Sequence, residues 1–254
     1  MTGKVKYRYF IRLCYDGSQF HGWQRQPNGM SVQQALEDAM SMMLRVPVRL
    51  TGAGRTDTGV HAAQYFAHFD LDENLGEQEC SRLTFKLNSF LPPAIAIQSM
   101  EPVKIDLHAR FSALSRTYKY YISKVKTPFR SAYTHYIYGD LDIGLMNAGA
   151  GMLLEVSDFT SFSKVDTDAR TNICKVSRAI WEAEGEELVF TITANRFLRN
   201  MVRAIVGTLL DLGKHRITLE EFGHIIATKN RSDAGDSVPA CGLHLFAIEY
   251  PQSG

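Results

Sequence analysis

The sequence predicts an α+β fold made of two related halves. Three observations lead there. Strand-like alternation and helix-like apolar stripes follow one another as β-α-β-β-α-β over the first hundred residues. The remainder repeats strands and helices in a coarser version of that order. No Pro-rich or low-complexity linker separates the two, so they are expected to pack closely. The first order is that of the ferredoxin-like split βαβ motif. A boundary near 102–112 then gives halves 1–105 and 106–254.

Residues 7–15 alternate, with Tyr7, Tyr9, Ile11, Leu13 and Tyr15 on one face, and Asp16-Gly17 ends the strand. A long loop follows. Ser31 then caps a helix, with Gln34 at capping-box spacing. Val32, Ala35, Leu36, Ala39, Met40, Met43 and Leu44 form its apolar stripe, and Met40, Met42 and Met43 read as core. A short strand at 48–51 leads into the turn GAGRTDTGVH, and Ala63, Tyr65, Ala67 and Phe69 alternate as the next strand. A helix near 79–91 stops at Pro92-Pro93, and 94–100 reads as a strand. In the second half a strand at 115–124 precedes extended chain near 134–138 and a helix at 142–155. Gly185 turns a hairpin between 175–183 and 187–194. A long helix spans 196–212, Thr218 and Glu221 cap another to 228, and 243–250 is the last strand.

Composition removes several function classes. Of 254 residues, 45% are apolar and 22% charged, which excludes a disordered, collagen-like or coiled-coil chain. Lys+Arg numbers 28 against 27 Asp+Glu, so any nucleic-acid surface is a local patch and not a bulk charge. Cys14, Cys80, Cys174 and Cys241 form no C-x-x-C pair and suggest neither a zinc site nor a disulfide framework. Reduced thiols, the absence of a signal-peptide pattern and the absence of an apolar run of ~18 residues make a cytoplasmic protein the expectation. The eight histidines show no metal-ligand spacing.

Chemistry points to the turn at 52–61. Gly52, Gly54 and Gly59 permit tight bends. Asp57 stands where a dinucleotide fingerprint needs its third glycine, and the Gly-Lys-Ser/Thr of a P-loop is missing. What remains is the carboxylate of Asp57 two residues from the guanidinium of Arg55. Such a carboxylate is either a turn residue bonding local amides or a nucleophile kept ionised by its neighbour. Basic residues form two groups. Arg196, Arg199 and Arg203 lie at i, i+3, i+7 on the long helix, and Arg110, Arg116 and Lys119 are interleaved with Phe111, Tyr118, Tyr120 and Tyr121. Arginines among aromatics suit phosphates and unstacked bases; the same pattern also describes a solvated helix face and a Tyr-rich strand.

Seven segments in order carry a resemblance over essentially the whole chain. They are YDGSQFHGWQRQP, SVQQALEDA, GAGRTDTGVHA, LHARFSALSRTYKY, DFTSFSK, ANRFLRNMVRAIVG and PACGL. Together they resemble the tRNA pseudouridine synthase A family. Thr58 departs from the alanine common there, and between Asp166 and Thr171 only Arg170 matches well. The resemblance implies the pseudouridine synthase fold, in which two ferredoxin-like halves share a central, mostly antiparallel sheet, and a homodimer with a basic cleft. It implies conversion of uridine to pseudouridine at positions 38, 39 and 40 of the tRNA anticodon stem-loop, with no cofactor, metal or membrane. It implies Asp57 and Arg55 as catalytic residues and Tyr118 as the ring that stacks on a flipped uracil. Leu243 is then an apolar wall of the pocket, and His108, Arg110, Arg170, Arg199 and Arg203 are RNA contacts. Asp57 would attack the base, attack C1′ or assist deprotonation at C2′. A non-catalytic RNA-binding module would need no Asp57. A glycoside- or nucleoside-processing enzyme usually wants two carboxylates flanking the bond. A pseudouridine synthase of other RNA preference would lack the flanking segments.

Overall fold

The computed structural model describes residues 6–164 and 171–251. It is a mixed α/β chain whose strands pair almost entirely antiparallel. Two compact units divide at Leu114–Ser115 and again at Phe246–Ala247, so the end of the chain returns to the first unit.

In the first unit, β1 (Tyr7–Tyr15) lies between β3 (His61–Leu71) and β4 (Ile95–Val103), both antiparallel to it, and β2 (Thr51–Gly52) adds to β3. Tyr9, Ile11, Leu13 and Tyr15 are buried, as the alternation requires. Tyr9 faces Phe69 across the β1–β3 pair, with ring centroids 5.2 Å apart. Helix α1 (Val32–Leu44) starts where the Ser31 hydroxyl accepts from Gln34 N–H at 3.2 Å. Met40 is fully buried but Met42 is 55% exposed, because two residues turn a helix by roughly 200°. The expected strand at 48–51 shrinks to two residues. Leu50 N–H donates instead to the buried Glu37 carboxylate, at 2.9 Å. Helix α2 (Glu77–Phe90) follows, and Pro92-Pro93 stands just past its end.

The second unit places β8 (Glu187–Ala194) between β5 (Ser115–Ser123) and β7 (Val176–Glu184), with β6 (His135–Tyr136) parallel to β5. Gly185, at φ +63°, makes the β7–β8 turn. Helices α3 (Ile143–Met152), α4 (Met201–Gly213) and α5 (Leu219–Thr228) complete it. The Thr218–Glu221 capping box is present in full, with bonds of 2.7 and 3.1 Å. The last strand, β9 (Leu243–Glu249), crosses the division between the units.

The two units share a device at a sheet edge. In the first, the Asn88 amide of α2 accepts from Ile97 N–H at 2.7 Å and donates to Ile97 O at 2.8 Å. In the second, Asn147 of α3 does the same to Trp181, at 2.8 and 3.0 Å. A primary amide carries the acceptor and donors that complement one peptide unit, so each helix is tied to the outer strand of its unit and covers groups that would otherwise be unpaired.

Candidate active site

The Asp57 loop, residues 53–60, is held at many points within the first unit. Ala53 N–H donates to Phe66 O at 2.9 Å. Gly54 N–H donates to the Tyr65 hydroxyl at 3.3 Å, and that hydroxyl donates back to Gly54 O. Thr56 O accepts from Trp23 N–H at 3.3 Å, and the Thr56 hydroxyl lies 2.9 Å from the Tyr15 hydroxyl. Val60 N–H closes the turn onto Asp57 O at 3.1 Å, and Gly59 N–H reaches Phe20 O at 3.4 Å. Asp57 is half-buried and Arg55 is exposed on this frame.

The long loop after β1 exists to receive it. Gly22 has φ +77°, and a Cβ there would stand 2.3 Å from Thr56 O. A Cβ on Gly17 would stand 2.0 Å from Val60 O. His61 is buried and its Nδ1 accepts from Gly17 N–H at 3.1 Å, with Asp16 Oδ1 equally close. Trp23 and Tyr65 lie ring on ring, 4.1 Å between centroids, and Tyr15 adjoins both. Sequence reading singled out Asp57 and Arg55 but missed Tyr15, Trp23, Thr56, His61 and Tyr65 as their support. The available signal was the pair of glycines, Gly17 and Gly22, in a loop otherwise rich in side chains.

His108 and Arg110 sit on the segment between β4 and β5, also in the first unit. His108 Nδ1 accepts from Arg110 N–H at 3.1 Å and Phe111 N–H at 3.3 Å, so this nitrogen serves the local turn. Its pKa is lowered by burial and by the nearby Arg8 and Arg110 charges. Neighbouring His68 is held down to about 4, by burial first and by Arg8 next.

The second unit holds the other expected residues. Tyr118, half-buried on β5 opposite Ile192, meets Phe197 edge to face at 5.0 Å. Leu243 is buried at the start of β9. The turn before it is packed on Tyr120, whose hydroxyl donates to Pro239 O at 3.0 Å and is pushed up in pKa by burial.

The basic helix face expected of Arg196, Arg199 and Arg203 does not form. Helix α4 begins at Met201, so Arg196 and Arg199 precede it and share no helix face with Arg203. Asn200, at φ +66°, turns the chain into the helix and breaks the i, i+3, i+7 register. Arg196 donates to Thr171 O at 3.1 Å, exposed Arg199 accepts at its carbonyl from Lys164 N–H at 3.1 Å, and Arg203 Nε donates to Val238 O at 2.7 Å. Arg170 lies outside the described residues. Among the described residues, no group of three or more His, Cys, Asp or Glu could hold a metal ion, and no helix is long and apolar enough to cross a membrane.

Comparison with known proteins covers both units. A family model described as tRNA pseudouridine synthase matches residues 13–112 and 153–251. The chain is 52% identical to tRNA pseudouridine synthase A of Bacteroides thetaiotaomicron, over 96% of this chain and 91% of that one. It is 50% identical to the protein of the same name from Parabacteroides distasonis, over 96% of both chains. A more distant relative so named, from Pseudoalteromonas atlantica, is 37% identical over 97% of this chain and 93% of its own. With both blocks of the family model filled and half of all positions identical across nearly the full length, the chain belongs to the tRNA pseudouridine synthase family.

Proposed function

We propose that this protein isomerises uridine to pseudouridine at positions 38, 39 and 40 of the tRNA anticodon stem-loop. It acts as a cytoplasmic homodimer that needs neither cofactor nor metal. The observation that carries the reading is the Asp57 loop: a half-buried carboxylate on a turn fastened to β1, β3 and the loop after β1. Family membership supplies the substrate class.

The chemistry asks little beyond such a carboxylate. The N1–C1′ bond breaks, the uracil turns, and a C5–C1′ bond forms. The C5 proton is lost and N1 gains one, so the sum is an isomerisation without redox change or hydrolysis. Asp57 supplies the nucleophile that holds the intermediate, and a rigid loop keeps its aim at no reorganisation cost during the reaction. The target base must leave the helical stack, at a cost of a few kcal/mol. Arg55 orients Asp57 and fills the vacated place in the stem. Tyr118 stacks on the extruded uracil, and Leu243 forms an apolar wall beside it. His108, Arg110, Arg170, Arg199 and Arg203 contact RNA, and His108 also holds the turn that carries Arg110.

The test is incubation with a transcribed anticodon arm carrying uridines at 38, 39 and 40, followed by position-resolved mapping of pseudouridine. Product at those positions is expected. Product elsewhere only would replace the proposed site, and no product would overturn the reading.

A further inference from the structure

A ladder of rings runs outward through the first unit and ends in solvent. Phe10 on β1 is 4% exposed and stacks on His68 of β3, 6.0 Å between centroids and 17° between planes. His68 meets the His108 ring edge to face at 4.7 Å. His108 in turn lies 4.4 Å from the ring of Phe111. Phe111 is 75% exposed. The Arg110 guanidinium stands 5.5 Å from the Phe111 centroid.

The turn that presents this last ring is anchored throughout. Ala109 N–H donates to His68 Nδ1 at 3.1 Å, and Ala109 O accepts from the Tyr250 hydroxyl at 2.5 Å. Leu107 O accepts from Arg8 at 3.1 Å, and Arg8 is itself paired with Asp70. His108 N–H donates to the Ser112 hydroxyl, and Ser112 N–H to His108 O, both at 2.9 Å. An aromatic ring that is held this firmly yet left open is pre-organised for a flat partner, since its ordering cost is met in the free protein. A ring flanked by a guanidinium fits a nucleobase and its phosphate better than an apolar protein side chain.

We propose that Phe111 is a stacking platform for an unpaired base of the RNA substrate, with Arg110 on the adjoining phosphate and His108 as the residue that positions both. The inference rests on the tRNA reading above but concerns a base other than the one that reacts.

Trp23 and Trp181 are both buried, at 3% and 2%, so an indole introduced by Phe111→Trp reports a solvent environment of its own. Its emission is expected to be quenched by the anticodon-arm hairpin, which has unpaired bases, and not by a fully paired RNA duplex of equal length. Phe111→Leu should weaken binding of the hairpin at least about fivefold, the low end of base–aromatic stacking, and Phe111→Tyr should restore it. Equal indole emission with hairpin and duplex would overturn the proposal, as would hairpin affinity of Phe111→Leu within about twofold of wild type. So would a fall in mass by light scattering for Phe111→Leu with RNA binding intact, which would assign the ring to a second copy of the chain. Wild-type protein run alongside separates the two readings. If it forms pseudouridine while the indole stays unquenched, only the platform fails; if it forms none, the function proposal fails.

Discussion

The Tyr15 hydroxyl at the end of β1 lies 2.9 Å from the Thr56 hydroxyl, and both residues are buried. Thr56 sits between Arg55 and Asp57, so this contact joins the central strand of the first unit to the chain segment that bears the proposed chemistry. Tyr15→Phe leaves a buried hydroxyl without that partner and should cost about 1–3 kcal/mol in urea unfolding. Thr56→Val should cost a similar amount, and the double variant less than the sum, because the second change removes the group the first one stranded. Additive losses would mean that the two hydroxyls do not interact.

Asp57→Asn and Asp57→Ala should fold, bind tRNA and form less than ~1% of the wild-type product, since loss of a covalent catalyst costs several orders of magnitude. Arg55→Lys keeps the charge but not the planar fork, so turnover should fall steeply with little change in tRNA affinity. Single-turnover assays beside filter binding check both. Normal turnover by Arg55→Lys would remove the argument for a guanidinium.

The paired amides make a prediction about the halves. Asn88→Ala strands the N–H and C=O of Ile97, and Asn147→Ala strands those of Trp181. Each should lower stability by about 1–3 kcal/mol, while aspartate, which accepts but cannot donate, should recover only part of the loss. Denaturant midpoints of the four variants decide it.

Stability should depend on pH through His68. Its folded-state pKa, about 4, lies below the ordinary 6.5, so the folded form favours the neutral ring. The stability this contributes is complete above about 6.5 and is lost as pH falls from 6.5 toward 4. Arg8 and His108 oppose the charge on His68 and Asp70 favours it. Asp70 acts in a lower window: its carboxyl is held below 3.8, chiefly by the hydrogen bond from Arg8. Its contribution is therefore present above 3.8 and lost in stronger acid. Thermal melts between pH 7 and 4 should show a slope that His68→Gln reduces. An unchanged slope would remove His68 as its source.

Exposed Arg199 should act on RNA through phosphate alone. Arg199→Ala should weaken binding and reduce the log K against log salt slope by roughly 0.7–0.9. Tyr118→Leu should instead lose about 1–3 kcal/mol of stacking, expressed mainly in turnover, because only the flipped state uses the ring. Arg203 is a poorer probe of phosphate contact, since its Nε also holds Val238 O. Identical profiles for Arg199→Ala and Tyr118→Leu would end the division between positioning and base capture.

Much of this protein is legible in the chain itself, because local physics dominates there. Alternating apolar residues marked β1 and β3, Gly185 marked the turn into β8, and the Ser31 and Thr218 caps and Pro92-Pro93 marked helix ends. Asp57 and Arg55 stand out in the chain as candidates because glycines bracket them and the flanking segments match a known family. Tertiary structure decided what depends on partners remote in sequence. Leu50 left the predicted strand because the Glu37 carboxylate, thirteen residues earlier, takes its N–H. Helix α4 started late because Asn200 adopts a left-handed turn, which no hydrophobic period encodes. The support beneath Asp57 comes from Tyr15, Trp23 and Tyr65, and the turn that exposes Phe111 is pinned by His68 and Tyr250. Patterns along a chain report which face of an element is buried; they do not report which distant hydroxyl, ring or amide will meet it, because closing those loops depends on the packing of the whole unit.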